Sequence, residues 1–412
     1  MNGRPVDADP SKGRRLIGCG LFALSLAACL VFLSAYPLPA VLYDPVEYLS
    51  LARSVAAGTG FSQDGGLTPA VYRPPLFSLL LGGWFRLTGT GTAESAAVFQ
   101  SILHAAGVLA AFALFLEILS SLKWAAGAAL FLAINPLLIT RVAFVMQEPT
   151  LLLFTTLAAW FSVRLLRAPS TARAALAGAA WGVCTLVKMV CWFVPFLLLG
   201  MRFLPSRLRW TWRGREAAAL LLLFSAAIAP WTLRNHVHFH RFIPVNDQGL
   251  GMIEWIVGHA NLPGEPPGDQ VVERIKKEWP TEEGRKAALY GFVKRHPRYF
   301  LVARVLWNAV LFAAPSRDWW IYRGDFRPGD PRTGFWILAF LFHIPLYLFL
   351  LRRTWQWGKG MAEPAVGFLV LLYWTYWGEY ALVVGDPRFG LTVYPVLVAM
   401  VLPLTGRDSG SA

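Results

Sequence analysis

AALAGAAWGVCTLVKMVCWFVPFLLLG, residues 174–200, carries a single charge, Lys188. The run is too long for one comfortable crossing of a hydrocarbon core, which takes about 20 residues. A lysine at the bilayer centre is costly. Two short helices meeting at Lys188, near a water-exposed face, satisfy both facts. Apolar runs of spanning length lie on either side: 16–38, 95–119, 124–140 and 149–166 before it, and 217–233, 334–351, 364–384 and 389–404 after it. With the broken run counted as two, the expectation is an all-α polytopic membrane protein of about ten spans.

Composition agrees. Of 412 residues, 56% are hydrophobic and only 15% charged, against about 25% charged in soluble domains. This excludes a soluble enzyme, a disordered chain and a fibrous one. The 18 Trp and 28 Phe suit many helices ending at membrane interfaces. A net charge of +14 then points to membrane lipids, the anionic ones, and not to nucleic acid. Cys19, Cys29, Cys184 and Cys191 all fall in apolar runs, so neither a disulfide framework nor a zinc knuckle is supported. Arg14 and Arg15 precede the first run and no small-residue cleavage site follows at once, so it is read as an uncleaved span.

Basic connections set direction. Arg14-Arg15-Leu16, RAPSTAR (167–173), RFLPSRLRWTWRGR (202–215) and RRTWQWGK (352–359) are all basic. Placing them in the cytoplasm puts both termini inside and residues 39–94, 141–148, 234–333 and 385–388 outside. The run 299–314 would flip this parity if it spanned. Its basic, aromatic start KRHPRYFLVAR (294–304) predicts an amphipathic helix on the outer membrane surface. Three regions follow: 1–235 with the first outer loop, 236–333 as a large outer loop, and 334–412 as C-terminal helices. No repeat or soluble domain is expected, and 261–285 alone reads as independent surface structure.

Acids and arginines gather at the outer ends of helices, where a substrate living partly in lipid would be met. In LYDPVEYLSLARSVAAGTGF (42–61), Asp44, Pro45 and Glu47 form a good helix start and Gly58 and Gly60 its end. Val46, Leu49 and Val55 at helical spacing predict that this helix lies on the membrane. Asp44 is either a cap or a catalytic carboxylate at the mouth of a site. Arg73 stands before two prolines, beside Tyr72, on a rigid extended backbone. Its fork suits a phosphate; the plain alternative is an arginine snorkelling to headgroups. Glu148 before Pro149 either complements a helix N-terminus or faces the same cavity as Asp44. Two such carboxylates can share a proton, bind a divalent metal or activate a hydroxyl. Lys188, Arg234 and Arg388 complete, with Arg73, a set of four cations able to hold a phosphate. Asp386 beside Arg388 offers a local ion pair instead. His236, His238 and His240 would share one side of an extended strand, a weak zinc pattern. Glu379 either hydrogen-bonds inside the bundle or lines the cavity.

The order of these residues resembles the membrane glycosyltransferases of the GT-C fold. The branch with protein O-mannosyltransferases and the lipid A aminoarabinose transferase is the most similar. The likeness rests on Asp44 after the first span, Arg73-Pro74-Pro75, Gln147-Glu148-Pro149 and the Leu186-Val187-Lys188 break. It extends to Pro230-Trp231-Thr232-Leu233-Arg234-Asn235 and Asp386-Pro387-Arg388-Phe389. It implies a polyprenyl-phosphate-linked sugar as donor and a lipid, glycan or protein as acceptor. Transfer would occur on the outer face, with inversion at the anomeric carbon. Asp44 would be the base, Glu148 would assist the acceptor or a metal, and Arg73 would hold the lipid phosphate. Where many relatives have two adjacent acids, this chain has Pro45 and then Glu47, whose role stays open; so does divalent-metal use. The rival class is a transporter or flippase using the same cations, and a second rival is a polymerase or ligase of lipid-linked glycans.

Overall fold

The computed structural model describes residues 10–39, 41, 43–119, 121–205, 212–314, 331–383 and 386–401. Among them there is no β-strand, only an isolated bridge between Ser62 and Pro69. The helices are α1 (Pro10–Ala35), α2 (Asp44–Ala57), α3 (Pro75–Thr88), α4 (Ala93–Leu119), α5 (Leu122–Ala133) and α6 (Pro136–Ile139). There follow α7 (Glu148–Arg167), α8 (Thr171–Val187), α9 (Val194–Gly200), α10 (Gly214–Phe239), α11 (Gly249–Gly258), α12 (Gly268–Glu278) and α13 (Glu282–Arg295). The last are α14 (Arg304–Ala313), α15 (Pro331–Gly358), α16 (Pro364–Leu382), α17 (Pro387–Leu391) and α18 (Tyr394–Val401).

Among the described residues four helices are each long and apolar enough to cross a membrane: Lys12–Ala35 of α1, then α4, α7 and α10. The pair from α5 to Ala143, bent by 49° at its break, makes a fifth if taken as one span. The expected break at Lys188 is present. α8 stops at Val187, Lys188 is extended (φ −154°, ψ 127°), and a 3-10 turn (Met189–Cys191) leads to α9. The bundle core joins α4, α7, α8 and α16 around Phe115, Trp181, Phe368, Tyr373 and Tyr376, all fully buried. The Trp181 indole N–H donates to Ser162 Oγ at 2.9 Å, so this large side chain buries no orphaned donor.

Two smaller cores flank the bundle. α2 and α3 pack on each other through Tyr48, Leu49, Ala52, Phe77 and Leu81. The buried face of α2 therefore meets α3, while Val46 is left exposed. Gly82 makes the contact possible, because a Cβ there would stand 2.7 Å from Val55 Cβ and 2.8 Å from the Ala52 carbonyl. The second core gathers Ile253 and Val257 of α11, Val271, Val272 and Ile275 of α12, and Leu289 and Phe292 of α13. Independent structure in the large loop thus extends well beyond 261–285. The reason is that α12 is strongly two-faced, with charges opposite its Val/Ile stripe, and needs both neighbours to cover it. Residues 299–303 form a π-helical turn running into α14. α14 packs along α16. Its Arg304 and Asn308 are buried, while Leu301, Val302, Leu306, Trp307 and Val310 are exposed. Residues 315–330, which the sequence reading assigns to the same outer loop, lie outside the described residues.

Candidate active site

Asp44 is the first helical residue of α2 and follows Tyr43, whose φ is +56°. A non-glycine residue in that region stores about 1–3 kcal/mol of strain. No side chain caps the helix, which corrects the capping reading of Asp44 and Glu47. Both acids turn instead to one arginine far along the chain. Arg73 Nη2 donates to Asp44 Oδ1 at 2.5 Å and Nε to Glu47 Oε2 at 2.5 Å. Charge-assisted bonds to two carboxylates outweigh one capping bond. The expected helix end is present: Gly58 is left-handed (φ +75°) and its N–H bonds the last turn.

Arg73 is buried between the rings of Tyr48 and Tyr72, with Cζ 5.3 and 4.9 Å from their centroids. Burial disfavours its charge, but Tyr48, Asp44 and Glu47 more than reverse this and hold its pKa above the ordinary arginine value. Its loop is braced from three places. The Arg234 guanidinium donates to the carbonyls of Ala70 (2.7 Å) and Phe61 (3.3 Å). Asn246 Nδ2 donates to the Tyr72 carbonyl at 3.1 Å and the Asp247 N–H to Val71 at 3.0 Å. Arg234 therefore stands apart from the other three cations. It holds the backbone that presents Arg73, packed against Trp231 and Phe61.

Glu148 opens α7 and is 3% exposed, with neither carboxylate oxygen hydrogen-bonded. Arg388 Nε lies 3.7 Å from it, its Nη2 lies 3.9 Å from Asp44 Oδ2, and Asp386 is 3.5 Å from Nε. Asp386 also caps α17 by accepting the Arg388 N–H at 2.9 Å. The local pair foreseen for Arg388 exists, and the same guanidinium bridges the two principal acids. Gly390 lets this turn sit against α14, since a Cβ there would lie 2.6 Å from the Phe312 carbonyl. The Lys188 ammonium lies 3.7 Å from the Phe389 ring centroid and 5.3 Å from that of Tyr380, a cation–π arrangement.

A cavity of about 290 Å³ joins these groups. Asp44, Tyr72, Arg73, Glu148, Lys188, Glu379 and Arg388 line it, together with Gln248, Met252 and Trp255 of the α11 region. Of the residues expected at the site, Glu47 touches the cavity only through Arg73, and Arg234 does not reach it. Sequence reasoning missed Gln100, whose amide donates to the Val142 carbonyl and accepts the Met146 N–H, each at 2.9 Å, clamping the turn before Glu148. It also missed the part of the lining that comes from α11. A glutamine inside an apolar run is the one signal that was available.

The residues do not fit a divalent metal. Among the described residues no group of three or more His, Cys, Asp or Glu side chains is placed to hold one, and Asp44 and Glu148 both face Arg388. His236 and His238 lie in α10 and His240 at its cap, so the expected extended strand is absent and alternate residues diverge around a helix.

Residues 72–233 match the family model of dolichyl-phosphate-mannose-protein mannosyltransferases. The segment includes Arg73, Glu148 and Lys188; Asp44 and Arg388 lie outside it. The fold is similar to the crystal structure of the Archaeoglobus fulgidus oligosaccharyltransferase, a complex with Zn and sulfate. The TM-score is 0.53 at 13% identity, covering 92% of this chain and 48% of that one. This chain thus spans about half the length of that relative. No curated protein sequence matches. The expected GT-C architecture is borne out, and the chain is a multi-pass membrane protein.

Proposed function

We propose that this GT-C chain is a glycosyltransferase that moves a sugar from a polyprenyl-phosphate donor to an acceptor at the outer face of a bacterial plasma membrane. The observation that carries the reading is the pairing of Asp44 with both Arg73 and Arg388 inside one cavity that also holds Glu148 and Lys188. A lipid-phosphate sugar has an anionic link and a polar head, and these groups supply cations for the one and carboxylates for the other.

In a single displacement the acceptor oxygen or nitrogen attacks the anomeric carbon opposite the phosphate. The bond from that carbon to the phosphate oxygen breaks, and its electron pair leaves with the polyprenyl phosphate. The acceptor proton passes to Asp44, so the configuration inverts. Arg73, Arg388 and Lys188 stabilise charge growing on the leaving phosphate. Glu148 orients the acceptor. Arg234 acts at one remove, by fixing the Arg73 loop.

The test is transfer from labelled polyprenyl-phosphate sugars in nanodiscs. Wild type should release polyprenyl phosphate, and Asp44→Asn should still bind donor but transfer at least about 100-fold more slowly, the low end of what a lost general base costs. Because Asp44 caps nothing, the loss cannot be assigned to a missing cap. Near-normal transfer by Asp44→Asn would move the base to Glu148. Transmembrane movement of the lipid-linked sugar without bond cleavage would favour the transporter or flippase reading instead.

A further inference from the structure

Glu148 also lines a second, much smaller void of about 10 Å³. That is close to the room one water molecule needs, about 10–15 Å³. Its polar lining is His104, Arg141, Glu148 and Thr392; the rest is Leu138, Pro149, Leu152 and Leu391. His104 is 1% exposed and its Nε2 has no hydrogen-bond partner; the two Glu148 oxygens have none either. Orphaned polar atoms buried together around a water-sized space are the usual setting of a structural water. Thr392 already donates to the Phe389 carbonyl at 2.7 Å, leaving its oxygen able to accept.

His104 is also placed for a role at the site. It stands one helical turn after Gln100 on α4, and residues four apart share a face. Gln100 holds the backbone of the turn that ends at Glu148. The same face of α4 thus fixes that turn with one residue and, with the next, lines the void that Glu148 shares. We infer that His104 is a positioning residue for Glu148, its Nε2–H donating to one buried water that in turn donates to the Glu148 carboxylate. The bridge fixes the orientation of the carboxylate. The other groups acting on Glu148 are Arg388, Lys188, Tyr48 and Tyr380, with Asp44 beyond Arg388 and Arg141 across the void. All of them remain in a His104 variant. The assignment of Glu148 to the acceptor rests on the function proposed above; the hydrated bridge does not.

The experiment therefore uses readouts that need no sugar transfer. A density map of the whole protein in nanodiscs that resolves other ordered waters should show one between His104 and Glu148; an empty void there overturns the inference. In an infrared pH titration, the protonated-carboxyl band that disappears in Glu148→Gln identifies Glu148. In His104→Phe, which fills the void, that band should persist to higher pH than in wild type, because the ionised form has lost a donor. His104→Gln, which keeps a side-chain N–H, should move it back toward wild type. If wild type transfers sugar, His104→Phe should lower kcat up to about 100-fold, the scale of a misplaced group, with donor KM little changed and the acidic limb of the profile moved to higher pH. An unshifted Glu148 band in a folded His104→Phe protein overturns the inference. Should His104→Phe fail to insert, the density and the His104→Gln titration decide it. If the band shifts but no transfer occurs, the bridge stands and the glycosyltransferase reading falls.

Discussion

Arg73 is where the charge balance of the site is set. Two of its nitrogens are bonded to Asp44 and Glu47, which leaves N–H groups on Nη1 and Nη2 for a phosphate. A lysine at this position would keep the charge but could not hold both acids and a phosphate in one plane. Arg73→Ala would leave two carboxylates, each about one-third exposed, Glu47 without its cation and Asp44 with only Arg388 at 3.9 Å. A fully buried pair broken in this way costs about 3–5 kcal/mol, and exposure of the acids reduces that to ~1–3 kcal/mol. Arg73→Ala should therefore lower the melting temperature and weaken donor binding together. Arg73→Lys should recover most of the melting temperature and only part of the donor affinity. Thermal melts and donor titrations on the same preparations check this. If Arg73→Ala binds and turns over donor normally, the arginine is a structural clamp on α2 alone.

At the scale of elements, the α2–α3 pair is what brings Asp44 to Arg73, and Gly82 is what lets the pair close. Gly82→Ala would put a methyl group against Val55 and the Ala52 carbonyl, and backbone cannot step aside as a flexible side chain can. Overpacking of this kind costs typically ~1–3 kcal/mol. The neighbouring Gly83 has open space around its Cβ position, so Gly83→Ala should be neutral or stabilise by up to ~1 kcal/mol through helix propensity. Melting curves of the two variants should move in opposite directions or differ clearly; equal shifts would show that α2 and α3 are not held this tightly. The same pair shows what a sequence can and cannot display. The break at Lys188 was legible because a charge in an overlong apolar run is a local contradiction. The partners of Asp44 and Glu47 were not, because Asp-Pro-x-Glu is equally good as a cap and its competitor, Arg73, is remote in sequence. Arg73 and Arg234 look alike as interfacial arginines; only the fold shows that one lines the cavity and the other ties down its loop. Gln100 and His104 were hidden inside a run whose hydrophobicity decided how it was read.

For the whole molecule, two helices fix which end of the bundle holds the site. α7 begins at Glu148 and ends at Arg167, which pairs with Glu363. α16 begins just after Glu363 and returns to Glu379 at the cavity. At 1.5 Å per residue, a helix of 20 residues spans about 30 Å, the thickness of the hydrocarbon core. The cavity and the Arg167–Glu363 pair therefore lie at opposite membrane faces. The basic connections 167–173 and 352–359 both stand at the Arg167 end, and positive charge favours the cytoplasm, so the cavity should open outside. Glu278 on α12 and Lys359 after α15 are both exposed and lie on the two sides by this reasoning. Cys19 is exposed, whereas Cys29, Cys184 and Cys191 are buried, so a Cys19→Ser background leaves little native labelling. In that background Glu278→Cys should react with an impermeant maleimide on intact spheroplasts, and Lys359→Cys only after permeabilisation. The reverse pattern would turn the cavity to the cytoplasm. It would require the donor sugar to be met on the inner leaflet, and with it the proposal of outer-face transfer would fall while the geometry of the site remained.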